Sequence, residues 1–328
     1  MSAHWKQRPE GGGWFAIWLI RSIARRGGRV VARACLYPIV LYFLVMRGPE
    51  RRASRAYLAR VLGRRAGLLD IARHIHTFAA TILDRVFLLG ESVRRFDVRT
   101  TGLEALHAQV DRGGMLLFGS HLGSFEVMRV LARQRPDIQV RVVLDKQHNP
   151  AMTQLLDALN PEVAATVIDA GQDGPSIVLA IQQAIAEGAI VALLVDRTQG
   201  DEGAFPVDFL GAPARLPGAP WSIAAVLHAP VMLAFGLYRG GNRYDLVFEP
   251  FSEGIVAPRQ HRAAVLGELA KRYAQRLEHH ARSAPYNWFN FYDYWQTGAP
   301  SNDPTQVRTQ DRVPAGAGDD VHGVGRAA

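Results

Sequence analysis

The sequence predicts an α/β fold, a mixed central sheet flanked by helices, with a separate helical segment ahead of it. Three observations carry that expectation. Beyond about residue 114, short apolar runs alternate with stretches of helical periodicity. Two apolar runs, residues 14–20 and 30–46, stand apart from that alternation. The arginines gather in the same part of the chain. Residues 1–100 hold 19 basic and 6 acidic side chains and residues 101–328 hold 19 and 24, so the net charge of +8 divides into +13 and −5. With 48% apolar residues in 328, the chain is globular in composition.

The first apolar run carries Trp14 and Trp18 and leads into Arg21, Arg25, Arg26 and Arg29. Arg21, Arg25 and Arg29 are spaced four apart, which places them on one helix face. The second run is apolar except for Arg33 and is expected to break at Pro38. Neither run reaches the ~20 residues that cross a bilayer comfortably. No small-residue cleavage site follows the first, as a signal peptide requires. Short apolar faces, tryptophans and interfacial arginines suit a segment lying in a headgroup layer. A buried helix pair is the alternative. Arg47, Arg51, Arg52, Arg55, Arg60, Arg64 and Arg65 extend the band, which suits an anionic membrane surface. Nucleic acid is disfavoured because no RNA-binding, zinc-finger or basic-zipper pattern is present.

In the body, residues 115–118, 140–144, 164–168, 189–195, 231–237 and 244–248 read as strands. Residues 125–133, 151–159, 177–186 and 221–227 read as helices. The third helix has Pro175 for its first turn, Ile177, Ile181 and Ile185 at i+4 spacing, and Gly188 to close it. Residues 258–284 read as a long helix with a polar face. Residues 299–328, rich in Gly, Pro, Asp and Ala, read as a disordered tail. The expected division is a membrane-associated segment 1–50, an α/β domain 51–298 and the tail. The single cysteine, Cys35, excludes an intrachain disulfide and a multi-thiolate zinc site, and its setting reads as a small buried hydrophobe.

The stretch Gly119-Ser120-His121-Leu122-Gly123-Ser124-Phe125-Glu126 carries the chemistry. A strand ends, a Gly-rich turn presents His121, and a helix begins near Ser124. Strand carboxyl ends are where α/β sheets place ligand-site residues. Glu126, in the first helical turn, is expected to hydrogen-bond one imidazole nitrogen and make the other more basic, so that His121 takes a proton from a hydroxyl. A capped turn with an incidental histidine is the alternative. A nucleophile elbow is disfavoured because His121 stands where its serine would be. No phosphate-binding loop and no His-Glu-x-x-His pair occurs.

His121-x4-Glu126 after an apolar strand resembles the first motif of the glycerolipid acyltransferase superfamily, and most nearly its bacterial lipid A biosynthesis lauroyl/myristoyl branch. The likeness spans residues 15–297. It includes Arg51-Arg52-Ala-Ser-Arg55-Ala-Tyr-Leu, His148-Asn149-Pro150, the strand ending in Asp196-Arg197-Thr198-Gln199, residues 205–211, and Pro217-Gly218-Ala-Pro220. The resemblance implies a glycerolipid acyltransferase-like fold with N-terminal membrane-associated helices. It implies transfer of a fatty acyl group from a thioester, on acyl carrier protein or coenzyme A, to a hydroxyl of a lipid or glycolipid. His121 would be the general base and Glu126 its support. Backbone amides of Gly119–Gly123, with Ser120 among them, or Arg197 would meet the oxyanion, and Asp196 would support the site or contact the acceptor. Acyl carrier protein or acyl-CoA is co-substrate; no metal and no further cofactor is implied. The place implied is the cytoplasmic face of a bacterial inner membrane.

Two departures from that branch are plain. Where a Tyr-Arg-Pro stretch usually precedes Asn-Pro, this chain has Val143-Leu144-Asp145-Lys146-Gln147, so against that branch a phosphate-binding arginine is either lost or replaced, with Lys146 the candidate replacement. Where the branch turns basic after its aromatics, this chain has seven aromatics among residues 286–295. These line an acyl groove or pack a core. Arg259, Arg262, Lys271, Arg272 and Arg276 offer an acidic carrier a dock, or form a solvated face. A thioesterase using the same base, and a catalytically silent lipid-binding protein, are the alternative functions.

Overall fold

The computed structural model describes residues 28–89, 95–128, 135, 137–147, 150–159, 164–198 and 203–295. The run at 14–20, Arg21, Arg25, His148, Asn149 and the tail lie outside them.

The first described helix, α1 (Gly28–Met46), has a turn at Cys35 and resumes as Leu36–Met46. Pro38 therefore does not end the helix. Its ring excludes the carbonyl four residues back, so the disturbance falls one turn earlier, beside Ala34 and Cys35. At 19 residues α1 is long and apolar enough to cross a membrane by length and composition. One stripe of it, Ala32, Leu36 and Val40, is nevertheless buried against the body, while Tyr37, Leu41, Tyr42, Val45 and Met46 are exposed. Cys35 is half-buried and not fully enclosed. Helices α2 (Gly48–Leu62) and α3 (Leu68–Leu88) follow. Pro49 starts α2, and Gly63 at φ +65° closes it.

The arginine band is partly used up inside the molecule. Arg29 donates twice, at 2.8 Å, to Asp84, which is fully buried on α3. Arg33 donates to the Tyr238 hydroxyl at 2.7 Å. Arg47 pairs with Glu50 and Arg64 with Asp70. Arg52, Arg55 and Arg65 remain exposed.

Seven strands form the main sheet: β1 (Asp97–Thr101), β2 (Met115–Gly119), β3 (Val140–Leu144), β4 (Ile168–Asp169), β5 (Ile190–Leu194), β8 (Val231–Gly240) and β9 (Arg243–Ser252). Their order is β1-β9-β8-β2-β5-β3-β4, and within it only β8 and β9 pair antiparallel. Strands β2, β5, β3 and β4 therefore deliver their carboxyl ends to one edge. Alternate residues serve two cores. Leu116, Phe118, Val191 and Leu193 pack with α7 (Ala219–Leu227) and α8 (Arg262–Ser283), through Trp221, Tyr273 and Leu277. Met115, Leu117, Ile190 and Ala192 pack with Leu83 and Phe87 of α3 and Leu106 of α4 (Leu103–Val110).

Between β3 and β5 run α5 (Pro150–Leu159) and α6 (Gly174–Ala186). Asp173 caps α6 by accepting from Ser176, with Pro175 in the first turn. The strand expected at 164–168 is corrected: residues 164–165 are helical, and only Ile168 and Asp169 pair, with the end of β3 at the sheet edge. Strand β1, half exposed, lacks an apolar run. The hairpin β6 (Phe205–Phe209) and β7 (Ala212–Leu216) carries Pro206 and Pro213, tolerable where each strand has an unpaired side. Leu210 and Gly211, at φ +52° and +72°, make its two-residue turn. The helix expected at 125–133 is a 3-10 turn over Phe125–Met128 in its described part.

Candidate active site

Strand β2 is buried along its length and ends at Gly119, where a side chain would strike the Phe125 ring. The next five residues leave the sheet and fold against β8. Gly123, at φ +78°, sits so close to β8 that a Cβ would fall 1.9 Å from the Gly236 carbonyl oxygen. Ser124 N–H donates to that same oxygen at 2.8 Å. From the other side, residues 287–289 pair with the loop: Gly123 N–H donates to the Asn287 carbonyl at 2.8 Å, and Phe289 N–H to the His121 carbonyl at 3.0 Å. The loop is clamped between a strand and the aromatic segment.

His121 faces Asp196, which follows β5. In the parallel β2–β5 register Gly119 lies opposite Leu194, so two residues further on His121 lies opposite Asp196. His121 Nδ1 is 2.8 Å from Asp196 Oδ1, and His121 N–H donates to Oδ2 at 3.1 Å. Oδ2 also accepts from the Trp288 indole N–H at 2.9 Å, and the Asp196 carbonyl accepts from the Tyr294 hydroxyl at 3.1 Å. Asp196 is fully buried, while about a third (34%) of the His121 side chain is exposed.

Burial opposes charge on Asp196, yet the paired imidazole, Arg197 and the Trp288 N–H together hold its carboxyl well below the usual carboxylate range. Burial, Arg197 and Arg85 outweigh Asp196 at His121 and push the imidazole below its ordinary value, so it is neutral near pH 7. An ionised carboxylate can only accept, so Nδ1 carries the proton and Nε2 holds a free lone pair. Among the described residues Nε2 has no hydrogen-bond partner. An imidazole in this tautomer is able to act as a general base.

The expected contact between Glu126 and the imidazole is corrected. The chain reverses at Gly123, and Glu126 faces α3 instead, where its Oε1 lies 2.8 Å from Arg85 Nε and its Oε2 accepts from Ser124 Oγ at 2.8 Å. It fastens the loop to a helix and leaves the imidazole to Asp196. Arg197 donates to the Phe289 carbonyl and lies over the Tyr292 ring at 5.6 Å. Ser120 is buried, beneath Tyr273, whose hydroxyl donates to the Gly119 carbonyl at 3.0 Å. Lys146 follows β3 on the same sheet edge, two strands from His121, its N–H directed to Asp169. The loop amides of His121, Gly123 and Ser124 are already taken.

Residues the sequence did not single out complete the site: Arg85, Asn287, Trp288 and Tyr294. The aromatic run 286–295 flagged its own region. Trp288 and Tyr294 are buried and also donate hydrogen bonds to Asp196, which density of aromatics alone does not disclose.

A search among curated proteins gives no match. The family model for bacterial lipid A biosynthesis acyltransferases matches residues 13–297, from ahead of α1 to just beyond the aromatic segment that holds Asp196, and the chain belongs to that family.

Proposed function

We propose that this acyltransferase moves a fatty acyl group from the thioester of an acyl carrier protein, or of coenzyme A, to a hydroxyl of a lipid or glycolipid. The observation that carries the reading is the neutral His121 whose Nδ1–H is committed to buried Asp196. Nε2 takes the acceptor's proton as the hydroxyl oxygen attacks the thioester carbonyl. The C–S bond then breaks and the thiolate leaves with the proton returned from the imidazolium. Asp196 orients the base and stabilises the imidazolium. Glu126 acts through the loop it fastens to Arg85. With three loop amides occupied, Arg197 is the cation that stabilises the oxyanion.

The fold likeness to glycerolipid acyltransferases and placement on the cytoplasmic face of a bacterial inner membrane belong to the same proposal. They are supported by the family, the exposed stripe of α1 and the exposed Arg52, Arg55 and Arg65. A dock for the carrier at the start of α8 shrinks to Arg262 and to Arg259 in the turn just before it. Lys271 and Arg276 pair with Glu268 and Glu249, and Arg272 donates to the Phe251 carbonyl.

The test is purified protein with acyl-carrier thioester, with and without lipid acceptor, products read by mass spectrometry. Acylated lipid from the wild type and none from a folded His121→Ala variant is expected. Free fatty acid as the sole product would replace the reading with thioester hydrolysis.

A further inference from the structure

We infer that Trp288 is a positioning residue for the base, the link that joins Asp196 to a hydrogen-bonded chain running from α2 to His121 through the protein interior. This rests on the reading of His121 as the base. The chain starts at Ser54, whose hydroxyl lies 2.8 Å from His74 Nδ1. His74 Nε2 is 3.0 Å from the Trp288 carbonyl, an acceptor only, so Nε2 carries the proton and Nδ1 accepts from Ser54. The Trp288 indole N–H donates to Asp196 Oδ2 at 2.9 Å, and Asp196 Oδ1 takes His121 Nδ1–H at 2.8 Å.

Ser54, His74, Trp288 and Asp196 are all buried, so no water competes for these bonds. The Trp288 ring is wedged edge-on between Tyr57 and Phe209, at 5.1 Å from each, and cannot rotate away from the carboxylate. A tryptophan needed only for packing would leave its N–H on any convenient carbonyl. Here it lies on the oxygen that the imidazole does not use. Together with the His121 N–H it saturates Oδ2 and leaves Oδ1 to the ring. The indole N–H also draws off part of the carboxylate's field, and without it the imidazolium is held more strongly.

Trp288→Phe removes the N–H and keeps most of the packing. Expected are a kcat for acyl transfer lower by roughly 10- to 100-fold with KM little changed, and an acid limb of the pH–rate profile moved upward by about half a unit. A folded variant with wild-type kcat and an unmoved acid limb overturns the inference. If the variant does not fold, the intact protein answers without turnover. In protein labelled at its six tryptophans with 15N, one indole N–H resonance should follow the titration of His121 and cease to do so in His121→Gln. No indole resonance that follows it overturns the chain. A coupled indole in a protein inactive with every acyl thioester would instead sink the proposed reaction and leave the chain standing.

Discussion

Asp196→Asn is the sharpest perturbation of the site, because it preserves shape and changes only charge and the direction of one hydrogen bond. Oδ2 of Asp196 accepts two N–H groups, from His121 at 3.1 Å and from Trp288 at 2.9 Å. An asparagine that placed its NH2 there would face two donors and leave both unsatisfied, at about 1–3 kcal/mol each. The amide therefore keeps its oxygen at the Oδ2 position and turns its NH2 toward His121 Nδ1, 2.8 Å away in the native site. Nδ1 must then accept, the ring proton moves to Nε2, and the base has no lone pair facing its substrate. The wrong tautomer in an acid–base triad costs about 10⁴ in kcat, or roughly 5 kcal/mol of barrier. The assay is acyl transfer from an acyl-carrier thioester at pH 7.5, alongside the 15N shifts of the His121 ring. Nδ1 should lose its proton while circular dichroism stays native. A folded variant that keeps more than about a tenth of wild-type kcat, or keeps Nδ1–H, refutes the assignment of Asp196 as the group that sets the tautomer.

Three further outcomes are expected. Arg197→Met removes a cation that, after burial, most strongly opposes protonation of His121, so the acid limb of kcat/KM should move to higher pH; an unmoved limb with activity intact removes Arg197 from the site's electrostatics. Burial pushes His74 down to about 4, so the folded state resists a proton that the unfolded chain accepts near 6.5. That contribution is complete above pH 6.5 and is lost as pH falls toward 4, by about 3 kcal/mol; His74→Gln should flatten this part of the urea-stability profile, and an identical slope would count against it. Asp84→Asn leaves Arg29 without its buried counterion and should destabilise by about 3–5 kcal/mol in chemical unfolding, whereas a loss under 1 kcal/mol would mean that the pair is relaxed by water.

The parts of the fold legible in the sequence are those whose burial is uniform. Strands β2 and β5 are covered on both faces, so they read as continuous apolar runs. Helix α6 announces itself through Pro175 and Ile181, and by Gly188 at φ +83° just past its end. Strand β1 is half exposed and has no period-2 apolar pattern; β6 and β7 do alternate, through Phe205, Val207 and Phe209 and through Ala212, Ala214 and Leu216, but a proline in each argues against a strand. Within the site, Gly119, Ser120, His121 and Gly123 were legible as a loop after a strand. Asp196 stands among the expected supports of the site through the family resemblance, but not as the carboxylate partner of His121. Glu126 is five residues away in sequence and Asp196 is 75, and only the pairing of β2 with β5 brings the distant one into contact. Such register is decided by packing across the whole sheet, and a local reading favours the nearer acid. Glu126's own partner, Arg85, is equally non-local.

The clamp on the His121 loop closes late in synthesis. Residues 287–289 leave the ribosome more than 160 residues after His121, and they bond both to its loop and, through His74, to helices made long before. A nascent chain that has completed β2 and β5 therefore holds both members of the pair but not the segment that fixes them. The pair is fixed only once residues 287–289 lie against the loop, His74 and Asp196. Contacts of such long sequence separation are slow to form.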